Sequence, residues 1–264
     1  MTEAKFILSK SKLVEQLKIL EKLKLKISYS YKTNREVGDI LQNISDCDFS
    51  IHAKEEIEKI KNKSKIWFFN QAESIDELEN ILKRGVRNFV IDNEIDFQRI
   101  LEAIKKSKTK INLSLRMKLQ EHRIGSEKYF VYGMPSKKVN DLIKEIKDNK
   151  LIEKLGIHLH RKSQNTSEWE IKKELEDSID SENFKRINLV NLGGGLPVEY
   201  RSFTSRVMPY IFEKIIEARD FLKKYNIETY IEPGRFLAAP CIKLQTEIIQ
   251  IQEKNIIINT TIYN

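Results

Sequence analysis

The sequence predicts an α/β fold: a parallel (β/α)8 TIM-type barrel followed by the first strands of an incomplete β domain. Short β-branched runs alternate with segments of helical period along most of the 264 residues. About eight such runs each lead towards a helix, and eight is the number that closes a parallel barrel. After "IEPGRFLAAP" the alternation stops, and two β runs follow with no helix behind them. An open doubly wound sheet is the alternative. It is weakened because "GGG" at 193–195 lies far from the first strand, where a dinucleotide-binding turn belongs.

In chain order, "KISYSY" passes through a polar turn into the helical "EVGDILQNI", and "CDFSI" leads to "AKEEIEKIK". "KIWFF" leads to "SIDELENILKRG", "NFVID" to "EIDFQRILEAIKKS", and "KINLSL" to "SKKVNDLIKEIKDN". "KLGIHL" leads to "SEWEIKKELED", "RINLVNL" to "VMPYIFEKIIEARDFLKKY", and "ETYIEP" is the eighth run. The third helix shows the logic. Ser74 caps its start with Glu77 three residues on, Leu78, Ile81 and Leu82 share a face, and Gly85 follows a basic last turn. The closing runs "CIKLQTEIIQIQ" and "NIIINTTIYN", separated by "EKN", give a hairpin signal. The expected division is a barrel over 1–240 and the start of a truncated C-terminal β domain over 241–264.

Composition narrows the function classes. Lys+Arg 47 against Asp+Glu 39 gives a net charge of +8. The lysines are interleaved with glutamates, as in "KEEIEKIKNKSK", which favours solvated helix faces over a nucleic-acid surface. No apolar run approaches the roughly 20 residues of a membrane span, and "MTEAKFILSKSK" is not a signal peptide. Cys47 and Cys241 make no metal spacing and no disulfide framework, which points to a reducing cytoplasm.

In a (β/α)8 barrel the working side chains sit at the C-terminal strand ends. Those ends carry Lys32 and Asn34, then Ser50 and His52, then Arg116. Later ends carry His158 and His160 with Ser163 and Gln164 behind them, then Gly193, Gly194 and Gly195, then Glu232, Gly234 and Arg235. Each has a bland reading: Lys32 as a solvated terminus, "GGG" as a plain turn, "EPGR" as a turn with a salt bridge. Cys47 reads as a small buried thiol, and Trp169 as helix packing. Together the residues supply an amine, an imidazole, a carboxylate, an arginine and a glycine-rich anion cradle. That kit suits a phosphorylated aldehyde cofactor.

The motifs "YSYKTN", "GIHLHRKSQ", "NLGGGLP" and "EPGRFLAAP", in this order, resemble the pyridoxal-phosphate-dependent ornithine/diaminopimelate/arginine decarboxylases, whose barrel is like that of alanine racemase. The resemblance implies that Lys32 carries pyridoxal 5'-phosphate as a Schiff base and that His160 stacks on its ring. It implies that Ser163, Gly193, Gly194, Gly195, Gly234 and Arg235 surround the phosphate, that Glu232 pairs with the ring nitrogen, and that Arg116 lies near the cofactor. Lys32, His160 and Glu232 are then the catalytic set, with no metal. The implied partners are a small amino-acid substrate and, through a full β domain, a second copy of the chain, with no nucleic acid and no membrane.

Departures and several open alternatives accompany the resemblance: the second-strand end reads "FSIHAKEEI", with Ser50 the nearest match to the acidic or serine-rich motif usual in the family there. Arg161 and Lys162 stand where the family has a small apolar residue and glycine, and neither cysteine lies where the family's interface cysteine belongs. "SQ" after "HRK" resembles the lysine-forming members of the family, which implies diaminopimelate as substrate and lysine as product. Ornithine, lysine, arginine or a carboxynorspermidine-type substrate of polyamine synthesis is the alternative. A barrel-only racemase or cofactor carrier, or a non-catalytic paralogue regulating a decarboxylase, also stays open.

Overall fold

The computed structural model describes residues 3–119, 132–159, 161–167, 169–198 and 205–260. Two elements outside the predicted strand–helix alternation come first. Strand β1 (Lys5–Leu8) leads into helix α1 (Lys10–Glu21), capped by the Ser9 side chain accepting from the Lys12 amide. Helix α1 buries Leu13, Leu17 and Leu20, one helical face.

The eight predicted strands all form. They are β2 (Lys26–Ser30), β3 (Asp48–Ile51), β4 (Ile66–Phe69), β5 (Asn88–Ile91), β6 (Ile111–Met117), β7 (Ile152–Leu159), β8 (Leu189–Asn191) and β9 (Glu228–Ile231). They pair in chain order as a closed barrel, and β9 returns to β2 with Lys26 opposite Tyr230. Around them lie α2 (Arg35–Ile44), α3 (Ile75–Lys83), α4 (Glu94–Ser107), α5 (Ser136–Ile146), α6 (Ile171–Ser178) and α7 (Met208–Lys223). The four-residue α8 (Arg235–Ala238) follows β9. The capping box of α3 is complete, with Ser74 and Glu77 each bonding the other's backbone amide.

One predicted helix differs. "AKEEIEKIK" folds as 3-10 helix over Lys54–Lys59. Ile57 and Ile60 are fully buried and stand three residues apart, the spacing that eclipses in a 3-10 turn. Helix α6 also starts later than its sequence pattern, at Ile171, because buried Trp169 packs ahead of it.

Strand alternation decides what faces the barrel interior. Along β4, Ile66 and Phe68 join the large core shared with the helices, whereas Trp67 and Phe69 join Val90, Leu189 and Tyr230 in a separate inner cluster. Fully burying an aromatic or aliphatic side chain contributes about 1.5–3 kcal/mol, so the filled interior is a packed core and not a channel. Tyr230 on β9 faces inward, and Glu232 two residues later continues that inner row at the C-terminal end.

Strands β10 (Ile242–Gln245), β11 (Ile248–Gln252) and β12 (Asn255–Ile258) follow the barrel. The predicted hairpin forms from β11 and β12, but the first run divides, and β10 pairs antiparallel with β1, Lys5 opposite Gln245. Ile248, Ile249, Ile251 and Ile256 are exposed. Among the described residues no helix is long and apolar enough to cross a membrane.

Candidate active site

Lys32 sits in the 3-10 turn Tyr31–Thr33 immediately after β2. The turn is held from several sides. Tyr29 Oη donates to the Asn34 carbonyl at 2.9 Å, Tyr31 Oη donates to Asp39 Oδ1 at 2.9 Å, and Asn34 Oδ1 caps α2 by accepting from the Val37 amide at 2.9 Å. The Ser30 amide donates to the Pro233 carbonyl at 3.2 Å, tying the turn to the loop after β9. Gly234 in that loop has no room for a side chain: a Cβ would lie 2.3 Å from Thr33 Oγ1.

A cavity of about 700 Å³, counted with its open mouth, lies at the C-terminal end of the barrel. It gathers Lys32, Arg116, Ser163, Gly194, Gly195, Glu232, Gly234 and Arg235 from five separate strand ends. Of the remaining sequence candidates, Gly193 stands behind the lining, and its amide donates to Asn191 Oδ1 at 2.9 Å. His160 lies outside the described residues. The cavity also contains His52, Phe69, Arg161 and Gln164, of which Phe69 is the one that strand-end polarity could not flag.

Glu232 is the centre of a buried polar hub. Its Oε1 accepts from Ser50 Oγ at 2.6 Å and from Asn191 Nδ2 at 3.0 Å, and its Oε2 lies 3.0 Å from His158 Nε2. Ser50 in turn shares a 2.7 Å hydrogen bond with Ser28. Burial favours the neutral forms of both Glu232 and His158. For the imidazole burial wins and its pKa is lowered, so a neutral ring donates from Nε2 while its Nδ1 has no partner among the described residues. For the carboxylate the donors win, and its pKa is held below the ordinary range. Asn191 was not flagged by sequence, although it shares the inward face of its strand end with the glycine run that follows.

The Lys32 amine faces this hub. Burial in the mouth lowers its pKa below the usual lysine value, Glu232 opposes the shift, and Arg116 adds to it. His52 stacks on Phe69 with ring centroids 4.3 Å apart, and burial together with Lys32 pushes its pKa down to about 4. Arg116 packs its guanidinium 5.6 Å from the same Phe69 ring and 3.9 Å from Asp92.

The loops after β7 and β8 form the far wall. The Asn165 amide donates to the Gly195 carbonyl at 2.9 Å, and Gln164 exchanges hydrogen bonds with the Val198 backbone at 2.8 and 3.1 Å. Gly195 has φ +91° and lies so close to the Lys162 carbonyl that a Cβ would sit 2.8 Å from its oxygen. Only glycine fits there. Among the described residues no acceptor takes the amides of Gly194 or Gly195, and successive unpaired amides of this kind make an anion site.

A barrel mouth with an amine of lowered pKa, an ionised carboxylate opposite it and unpaired glycine amides on the wall defines a class: a protein that holds a phosphorylated aldehyde by its carbonyl and its phosphate. The sequence pattern described as "Pyridoxal-dependent decarboxylase, pyridoxal binding domain" matches residues 8–239, and the chain belongs to that family. Its fold is similar to that of diaminopimelate decarboxylase from Helicobacter pylori complexed with L-lysine, with TM-score 0.79 and 16% identity over 98% of this chain and 71% of that one. Lysine decarboxylase from Selenomonas ruminantium gives 0.74 and 19% over 97% and 68%. Arginine decarboxylase of Paramecium bursaria Chlorella virus gives 0.71 and 19% over 96% and 70%. No curated protein matches by sequence. The residues present fit pyridoxal phosphate on the structure's own terms, because the wall leaves glycine amides and a buried guanidinium, that of Arg161, without acceptors.

Proposed function

We propose that this chain decarboxylates a basic or diamino acid with pyridoxal phosphate, and that diaminopimelate, giving lysine, is the substrate. The observation that carries the proposal is the three-donor clamp on Glu232 in the same cavity as Lys32. The similar barrels that act on diaminopimelate, lysine and arginine support the substrate class, and "SQ" at Ser163–Gln164 supports diaminopimelate within it.

The residues divide the work. Lys32 Nζ binds the aldehyde carbon, and its lowered pKa makes the free amine accessible. Glu232, kept ionised, holds a proton on the ring nitrogen. Ser163, Gly194, Gly195, Gly234 and Arg235 hold the phosphate, with Gly193 supporting the loop, and Arg116 sits beside them. His160 is assigned to the ring face. When bound, pyridoxal phosphate supplies an electron sink for the pair left behind as the carboxylate leaves Cα as carbon dioxide. Lys32 Nζ, when not joined to the cofactor, would be the group placed to carry protons in the mouth.

Residues 1–240 are read as the cofactor domain and 241–264 as the start of a β unit. The proposed state is a cytoplasmic homodimer, supported by two buried free thiols and by the exposed isoleucines of β11 and β12. Light scattering reads the assembly.

The decisive test is Lys32→Ala. It is expected to abolish both the near-visible absorbance of lysine-bound pyridoxal and carbon dioxide release. An unchanged spectrum in the variant defeats the Lys32 assignment. Carbon dioxide release by the wild-type chain from diaminopimelate, lysine, ornithine, arginine and a carboxynorspermidine separates the substrates, and release from none of them defeats the decarboxylase reading.

A further inference from the structure

Arg161 is the least satisfied charged group in the described part of the molecule. It follows β7, is 7% exposed, and lines the cavity beside Ser163, Gly194 and Gly195. Its Cβ lies 3.2 Å from the point a Cβ on Gly195 would occupy, which places it at the glycine end of the cavity. The guanidinium carbon sits 4.9 Å over the Trp169 ring. Among the described residues Nε, Nη1 and Nη2 find no hydrogen-bond partner and no carboxylate forms an ion pair with Arg161.

This is a costly arrangement unless a ligand completes it. An unpaired buried cation is strongly destabilising, and an arginine presents five N–H donors in a fixed plane. Burial lowers its pKa to about 10, opposed by Glu174, so it remains charged at neutral pH. The Trp169 face offsets part of the desolvation but accepts no directed hydrogen bond. What the plane lacks is an anion with several acceptor oxygens, and the two unpaired glycine amides beside it lack the same thing.

We infer that Arg161 is a direct phosphate ligand of this site: its guanidinium binds the phosphate of the cofactor together with the Gly194 and Gly195 amides. The inference rests on the reading that pyridoxal phosphate occupies the cavity. It adds a cation where the motif resemblance expects a small apolar residue, so this chain grips the phosphate from the β7 loop as well as from the glycine loop. Trp169 is the platform that keeps the guanidinium in plane, and is a positioning residue.

The test compares pyridoxal phosphate with pyridoxal, which lacks the phosphate, by absorbance titration in phosphate-free buffer. Arg161→Met is expected to weaken pyridoxal phosphate by about tenfold to a hundredfold and to leave pyridoxal within about twofold. Arg161→Lys is expected to recover part of the loss. Equal weakening of both ligands, or of neither, overturns the inference. Failure of the wild-type chain to bind pyridoxal phosphate at all defeats the proposed function instead, so the two failures are distinct. If Arg161→Met does not fold, Trp67→Phe leaves Trp169 as the sole tryptophan. Its emission is expected to shift saturably with inorganic phosphate and to lose that shift in Trp67→Phe/Arg161→Lys, or to need more phosphate. No shift with phosphate in the single variant overturns the assignment.

Discussion

Two buried charges face the same cavity and are treated in opposite ways. Glu232 at the end of β9 has donors on both oxygens, from Ser50, Asn191 and His158 at 2.6–3.0 Å. Arg161 after β7 has an aromatic face and, among the described residues, no acceptor. The carboxylate is finished by the protein before any ligand arrives, which fits a group that must stay ionised and fixed through a reaction. The guanidinium is unfinished, which fits a group whose partner is brought in by the ligand.

The largest expected effect comes from breaking the finished pole. Glu232→Gln puts an amide NH2 among three donors, so at least one buried donor loses its acceptor at a cost of about 1–3 kcal/mol. With cofactor saturating, kcat is expected to fall about a hundredfold or more, and calorimetry should show a lower Tm. A kcat within about twofold of wild type would show that the ionised carboxylate is not what the hub exists to supply.

The next effect is on pH. His52 has its pKa lowered from 6.5 to about 4 in the folded chain, so between those values the unfolded chain binds the extra proton. Stability therefore falls as pH drops through that window, by about 2–3 kcal/mol with allowance for its partial exposure. His52→Phe keeps a ring against Phe69 and removes the titration. Urea midpoints at pH 7 and pH 4.5 should differ less in the variant than in wild type, and an equal difference assigns the acid sensitivity elsewhere.

A smaller effect is expected at the edge of the hub. Asn191→Leu removes one donor from Glu232 and the Gly193 amide's acceptor together. It should cost about 1–2 kcal/mol and move the acid limb of the kcat–pH profile upward, since Glu232 then binds a proton more readily. A stability loss with an unmoved acid limb restricts Asn191 to shaping the glycine loop.

The contrast between the poles also marks what the sequence makes legible. All eight barrel strands are readable because each is a short apolar run and the first seven are followed by segments that read as helix, and Lys32, Glu232, Ser163 and the glycines are readable because they sit at strand ends. Strand β1 is not, because its partner β10 lies more than two hundred residues away and its Phe6 and Ile7 are exposed. "AKEEIEKIK" misleads because three-residue spacing of Ile57 and Ile60 satisfies a 3-10 turn as well as an α-helix. Asn191 and Phe69 become visible only once the barrel closes and the inward row of each strand is known. Arg161 is visible in sequence as a departure from a motif, but its burial and lack of partners are facts of packing. His160, the residue the motif assigns to the ring, lies outside the described residues.

The smallest effect sharpens the unfinished pole. Trp169 does two things: its ring lies beneath the Arg161 guanidinium, and its Nε1–H donates to the Asn165 carbonyl at 2.9 Å. Trp169→Phe keeps an aromatic face and loses the donor, whereas Trp169→Leu loses both. The difference between the two variants therefore isolates the face, and is expected to be about 0.5–1 kcal/mol of stability without phosphate. Saturating inorganic phosphate should narrow that difference, because an anion on the guanidinium weakens its pull on the ring. Equal stability of the Phe and Leu variants in both conditions would show that Trp169 contributes packing alone, and the guanidinium would then need another reason to lie where it does.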